Sequence, residues 1–230
     1  MSNNCWDTPF SSANGQLLIG QASGAPVWAT VTGGTGATIT DGAGSISIDL
    51  DDATSDWEFI SSSTASASSE ITFTGLSSTY STYVVILHEV QPVTDGVILY
   101  MQTSSNNGVS YDSAAGNYAW AASSTNDGGT FDPEGSSSDT KISIAGDASS
   151  EELGNASNET VAATVWIFKP SDAQYLKVLF DCNYTDLVVD QVSVHGSGSR
   201  LSAADVDAVR FYMSSGNISQ GTFKLYGLRA

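Results

Sequence analysis

Residues 83–90, YVVILHEV, put Val84, Ile86 and His88 on one side of an extended chain and Tyr83, Val85, Leu87 and Glu89 on the other. Polar positions are scarce until the stretch ends, so it reads as a central strand, covered on both faces, rather than as part of an amphipathic helix.

Working outward, nine more runs of β-favouring residues occur at 57–60, 70–74, 97–103, 141–145, 161–168, 175–183, 187–195, 208–213 and 222–228. Clusters of Ser, Gly and Asn separate them, and none sustains a helical period. Ten short strands with this punctuation predict an all-β, jelly-roll-like two-sheet sandwich over residues 56–230. Ser202 can cap and Asp205 can sit in a first turn, so 202–209 is a candidate for one helical turn. Phe211 and Met213, the Gly216–Asn217 turn, and Phe223 with Leu225 predict a closing hairpin.

Residues 104–140 interrupt the pattern with a polar stretch that still carries Tyr111, Tyr118, Trp120 and Phe131. So long a connection tends to be functional, and rings in a polar loop suit the gripping of sugars or another protein. The alternative is a further strand near 117–122 with Tyr118 and Trp120 turned inward, which the local alternation favours. A second insertion, 146–159, is acidic and free of aromatics, and reads as a solvated loop.

Ahead of the sandwich, 15–50 mixes short apolar runs with much glycine: GQLLIGQASGAPVWATVTGGTGATITDGAGSISIDL. Ile39 faces Ile46, Ile48 and Leu50 across a turn signalled by Asp41–Gly42, giving a ribbon with one apolar side. A lone two-stranded ribbon is marginal in water, so Leu17, Leu18, Ile19, Val27, Ile39, Ile46, Ile48 and Leu50 are candidate oligomerisation residues. Residues 1–50 thus form a short N-terminal β-ribbon and oligomerisation segment, with a boundary at 51–55. In the polar arm before it, Trp6 and Phe10 are candidate attachment anchors, or pack on the chain itself.

The 230 residues carry a net charge of −18, and the first basic residue is Lys141. Such a surface repels phosphate backbones, so no nucleic-acid partner is expected. No apolar run suits membrane insertion, and residues 1–7 lack a secretory signal. Cys5 and Cys182 are expected as free thiols, Cys182 buried in a strand. The acidic run at Asp49, Asp51, Asp52, Asp56 and Glu58 fails the EF-hand pattern at Ala53, Thr54 and Ile60, and is read as a solvated turn. No metal and no cofactor is expected. His88 and His195 are far apart in the chain, no GxSxG, GxGxxG or P-loop occurs, and no enzyme is expected.

The pattern Gly-Gln-Leu-Leu-Ile-Gly, Pro26, and then TGGTGATITDGAGSISI from Thr32 resembles a module common in bacteriophage fibre and spike proteins. The ending, AVRFYMSSGNISQGTFKLYGL, resembles the last strands of β-sandwich domains in phage virion proteins. The resemblance implies a homotrimeric structural protein at the surface of the virion, made in the host cytoplasm. It would be mounted on other virion proteins through residues 1–50, with host-surface glycan as a further partner of the tip. A capsid decoration or cement protein, and a carbohydrate-binding module or depolymerase, are the alternatives.

Overall fold

The computed structural model describes residues 16–34, 36–50, 57–146 and 151–229, with Leu50 as backbone only. Trp6, Phe10, Cys5 and most of the acidic run at 49–58 lie outside the described residues. The chain divides into two compact units, Met1–Asp56 and Trp57–Ala230.

In the first unit, strands β1 (Gln16–Ile19) and β2 (Val27–Thr30) pair antiparallel, and β3 (Ala37–Gly42) pairs with β4 (Ser45–Leu50). The second ribbon sets Ile39 opposite Ile48 and Asp41 opposite Ile46, so the expected apolar side exists. Its two-residue turn is Ala43–Gly44 and not Asp41–Gly42: Gly44 takes a φ of +79°, and Asp41 and Gly42 belong to the ladder. In the first ribbon Leu17, Ile19 and Val27 share one side while Leu18 and Trp28 share the other, so both sides are apolar.

The second unit is a two-sheet sandwich with all pairings antiparallel. Its strands are β5 (Trp57–Ser68), β6 (Ile71–Thr74), β7 (Thr82–Pro92), β8 (Leu99–Ser104), β9 (Tyr118–Asn126) and β10 (Phe131–Asp139), followed by β11 (Ile142–Ala145), β12 (Val161–Phe168), β13 (Tyr175–Thr185), β14 (Gln191–Ala203), β15 (Ala208–Met213) and β16 (Ile218–Leu228). The larger sheet runs β10-β9-β14-β13-β12-β7-β16-β5, and the smaller runs β11-β8-β15-β6. Strand β7 is central, as its sequence predicts. Both edges of the larger sheet are serine-rich: β5 carries Ser61, Ser62, Ser63, Ser66 and Ser68, and β10 carries Ser136, Ser137 and Ser138 with Pro133.

Period-two alternation sends Tyr83, Val85 and Leu87, then Val161, Ala163, Val165 and Ile167, then Val178, Phe180, Cys182 and Tyr184 into one core, where Phe211, Met101, Leu99 and Ile142 of the smaller sheet meet them. Gly198 leaves room for Ile142, since a methyl there would come within 2.7 Å of the isoleucine side chain. Cys182 is buried, and its thiol donates to the Ile144 carbonyl at 3.2 Å. Burial pushes that thiol well above the ordinary range, so it stays protonated.

Five expectations give way. The closing hairpin is absent, because β15 pairs with β6 and β8 in the smaller sheet while β16 pairs with β5 and β7 in the larger. Instead Phe211 and Phe223 meet across the sandwich, with ring centroids 5.7 Å apart. No helical turn forms at 202–209: Ser202 lies within β14, which runs to Ala203, and Val206 is drawn into the core. The alternation of 83–90 breaks at Glu89, whose φ of +51° forms a bulge that exposes it and buries Val90. The run at 187–195 is half turn, because the Asp186 carboxylate accepts the backbone N–H of Val188 at 2.9 Å and of Asp190 at 2.8 Å, so β14 begins at Gln191. The insertion at 146–159 is not simply solvated. Glu151, Leu153 and Glu159 are buried, and Leu153 bridges Val97 and Asp186.

Candidate ligand-binding face

The outer side of the larger sheet carries two adjoining kinds of chemistry. Register aligns Phe59, Tyr226, Val84, Trp166 and Leu179 in one row across β5, β16, β7, β12 and β13. Trp57 lies at the end of β5 and leans over this row, with its ring 5.5 Å from that of Trp166 and 6.1 Å from that of Tyr226. Phe59 meets Tyr226 edge-on at 5.5 Å. This ridge of rings seals Val84, which is fully buried although it points away from the core. The ridge itself stays open to solvent, with Trp57 42% and Phe59 55% exposed. Pairs of this geometry stabilise by about 0.5–1.5 kcal/mol each beyond area burial, so the rings are held in place and not splayed.

Two residues further along the strands, about 7 Å away, the side chains shorten and turn polar. The next row is Thr164, Asp181, His195 and Ser123, and beyond it stand Ala162, Asn183 and Ser193. With Ile86 and His88 of β7 these residues, Ser123 excepted, line a shallow groove of about 360 Å³. A second depression, lined by Ala121, Ser123, His195 and Ser197, continues it over β14 onto β9. Strand order therefore unites the chain's two histidines on one surface, with β12 and β13 between them. Asp181 engages Nδ1 of His195, which leaves Nε2 as that ring's remaining hydrogen-bonding atom. Asn183 is fixed by its amide donating to the Val192 carbonyl at 3.1 Å. Among the described residues no group of three His, Cys, Asp or Glu could hold a metal ion.

Of the four rings expected as ligand contacts, one faces outward. Phe131 is 64% exposed and continues the Ala162–Asn183–Ser193 row through its register partner Thr125. Tyr118 is fully buried on β9, where its hydroxyl accepts the Thr103 N–H at 2.8 Å. Trp120 packs against the core and donates its Nε1–H to Asp139 at 3.0 Å. Burial alone would raise the Asp139 carboxyl, but bonds from Lys141, Trp120 and Thr140 outweigh it and hold the group below its ordinary value. Tyr111 lies under the Arg210 guanidinium, 4.3 Å from ring centroid to Cζ. Most of the 104–140 interruption is thus the β9–β10 hairpin, and its Tyr118 and Trp120 are interior residues.

The candidate oligomerisation residues divide in the same plain way. Leu17, Leu18, Ile19, Val27 and Ile48 are exposed, Ile39 and Ile46 are half-buried, and Leu50 is placed by register opposite Ala37. The outer-face rings were missed because Trp57, Trp166 and Tyr226 come from three separate runs that only the sheet order joins.

The chain matches no protein-family model, no curated protein and no solved structure.

Proposed function

We propose that the protein is a structural, non-enzymatic component of a bacteriophage surface, a short fibre or spike. Its N-terminal ribbons hold copies of the chain together as a homotrimer, and the sandwich is the displayed tip. One observation carries the reading. The first unit offers only two-stranded ribbons among its described residues, yet Leu17, Leu18, Ile19, Val27 and Ile48 stand between 42% and 62% exposed. Such ribbons are marginal alone, and burying a Leu or Ile side chain is worth about 1.5–3 kcal/mol, so association of several copies is the natural source of their stability. The resemblance of residues 15–50 to fibre and spike modules supplies the setting, the virion surface, and other virion proteins as the partners on which the segment is mounted.

Light scattering on the full chain tests this. The mass of three chains is expected, falling to one chain when Ile46→Ser and Ile48→Ser are combined, with the β-sheet circular dichroism retained. An unchanged mass in that variant, or a single-chain mass in the parent, refutes the assembly role.

A further inference from the structure

We propose that the outer face of the eight-stranded sheet binds an uncharged oligosaccharide, laid along the groove between His88 and His195 and against the rings of Trp57, Trp166 and Tyr226. The proposal rests on the display role only for what brings a glycan within reach, and its chemistry stands on the face itself.

A sugar ring has apolar C–H faces and a polar rim of hydroxyls, so it is held best where flat aromatic surface adjoins fixed hydrogen-bonding groups. This face has both, one row apart. Trp166 and Thr164 alternate outward on β12, and Leu179 and Asp181 do so on β13. The stacking surface is rigid because each ring is braced by another, and the polar groups are oriented because Asp181 holds His195 and the Val192 carbonyl holds Asn183. Preorganisation of this kind lowers the entropic cost of binding a flexible chain.

Shape and charge narrow the occupant. The groove is shallow and runs on over β14, with Ala162, Thr164, Ser193, Ala121 and Ser197 lining it, which suits a chain lying across the strands more than a single enclosed sugar. Asp181 is the one carboxylate lining it and Lys224 stands beside Ile86 at its border, so the face offers no cluster of either charge, and the chain's net charge of −18 disfavours sulfated and uronic-acid polymers. A second copy of the same face would carry the same net charge, and the groove lining is too polar for the apolar core of a subunit interface.

The test uses the full chain on an array of neutral oligosaccharides (β-glucan, mannan and N-acetylglucosamine oligomers) beside sulfated and uronate polymers, followed by titration calorimetry with the strongest neutral binder. Binding to at least one neutral oligomer is expected, weakened tenfold or more by Trp166→Ala and by His195→Ala, largely kept by Trp166→Phe, and unaffected by Val109→Ala, an exposed residue of the 105–117 connection that does not line the groove. Urea midpoints identify any variant that fails to fold, for which Trp57→Ala is the substitute. No neutral binding, preference for the anionic polymers, or equal binding by the parent, Trp166→Ala and His195→Ala overturns the proposal. So does a loss of oligomer mass in Trp166→Ala, which would make the face a subunit interface. Repeating the titration on the Ile46→Ser, Ile48→Ser chain separates this site from the assembly role, because either can fail while the other holds.

Discussion

The ring of Phe180 occupies the place where a side chain on Gly196 would stand. The two residues are register partners on β13 and β14, and the ring, which is fully buried, lies so close over the glycine that even a methyl group there would collide with it. The inner face of β14 is therefore completed from the neighbouring strand, an aromatic covering a glycine inside a sheet. Gly196→Ala would force the ring off its rotamer and is expected to cost about 1–3 kcal/mol, seen as a lower urea midpoint with an unchanged slope. An unshifted midpoint would mean that the ring has room to move.

Arg200 and Asp112 are the second internal anchor. The guanidinium is almost fully buried, and its Nε donates to Asp112 at 2.6 Å while a terminal nitrogen donates to the Ala204 carbonyl at 3.2 Å. The pair ties the 105–117 connection, which contains Asp112, to β14. Asp112→Ala strands a buried positive charge and is expected to cost about 3–5 kcal/mol, whereas removing both charges together as Arg200→Met with Asp112→Leu recovers part of that loss. Chemical denaturation of the two variants beside the parent measures it, and a cost below about 1 kcal/mol for Asp112→Ala would show that water reaches the guanidinium.

Tyr118 makes stability depend on alkaline pH. Burial pushes its hydroxyl up to about 12, against an ordinary value near 10. The folded state thus keeps a proton that the unfolded chain releases. The stabilising contribution is complete below about pH 10 and is lost as pH rises through about 12, and it amounts to about 2–3 kcal/mol. Tyr118→Phe is expected to lower stability at pH 8, because the Thr103 N–H loses its acceptor, and to flatten the decline between pH 10 and 12. Urea midpoints at both ends of that window provide the check, and an equally steep decline in the variant would assign the effect to other tyrosines.

The fold was legible because its cause is local. Alternation in VAATVWIF, residues 161–168, separates the buried Val161, Ala163, Val165 and Ile167 from an outward side, and both ends of that strand are as predicted. Errors arose where a side chain or one backbone angle overrode the alternation: Asp186 capturing the amides after it, Glu89 opening a bulge, and β15 and β16 parting to different sheets. The candidate face was legible in fragments only. Trp166 and Phe168, following Ala162 and Thr164 on the same side of β12, already mark outward rings. The meeting of Trp166 with Trp57, and that of His88 with His195, depends on a strand order that no single run encodes. Tyr118 and Trp120 turn inward, as the alternation near 117–122 favours, because that stretch is itself a hairpin with an inward side, so the alternative of a ligand-gripping loop does not hold for them.

The serine-rich borders of the larger sheet matter wherever copies are crowded together. A sheet ends in unpaired amide and carbonyl groups that can recruit the border strand of a neighbour, and close spacing makes such zippering faster. On β10, Pro133 has no N–H to donate and the ladder with β9 slips between Ser136 and Asp139, while β5, past the exposed Trp57, Phe59 and Ile60 at its start, lines the opposite border from Ser61 to Ser68 with short side chains that offer a neighbour little to bury. In an assembly of the kind proposed, such borders disfavour edge-to-edge merging of neighbouring copies, which leaves the flat face of the sheet, and not its rim, to meet the surroundings.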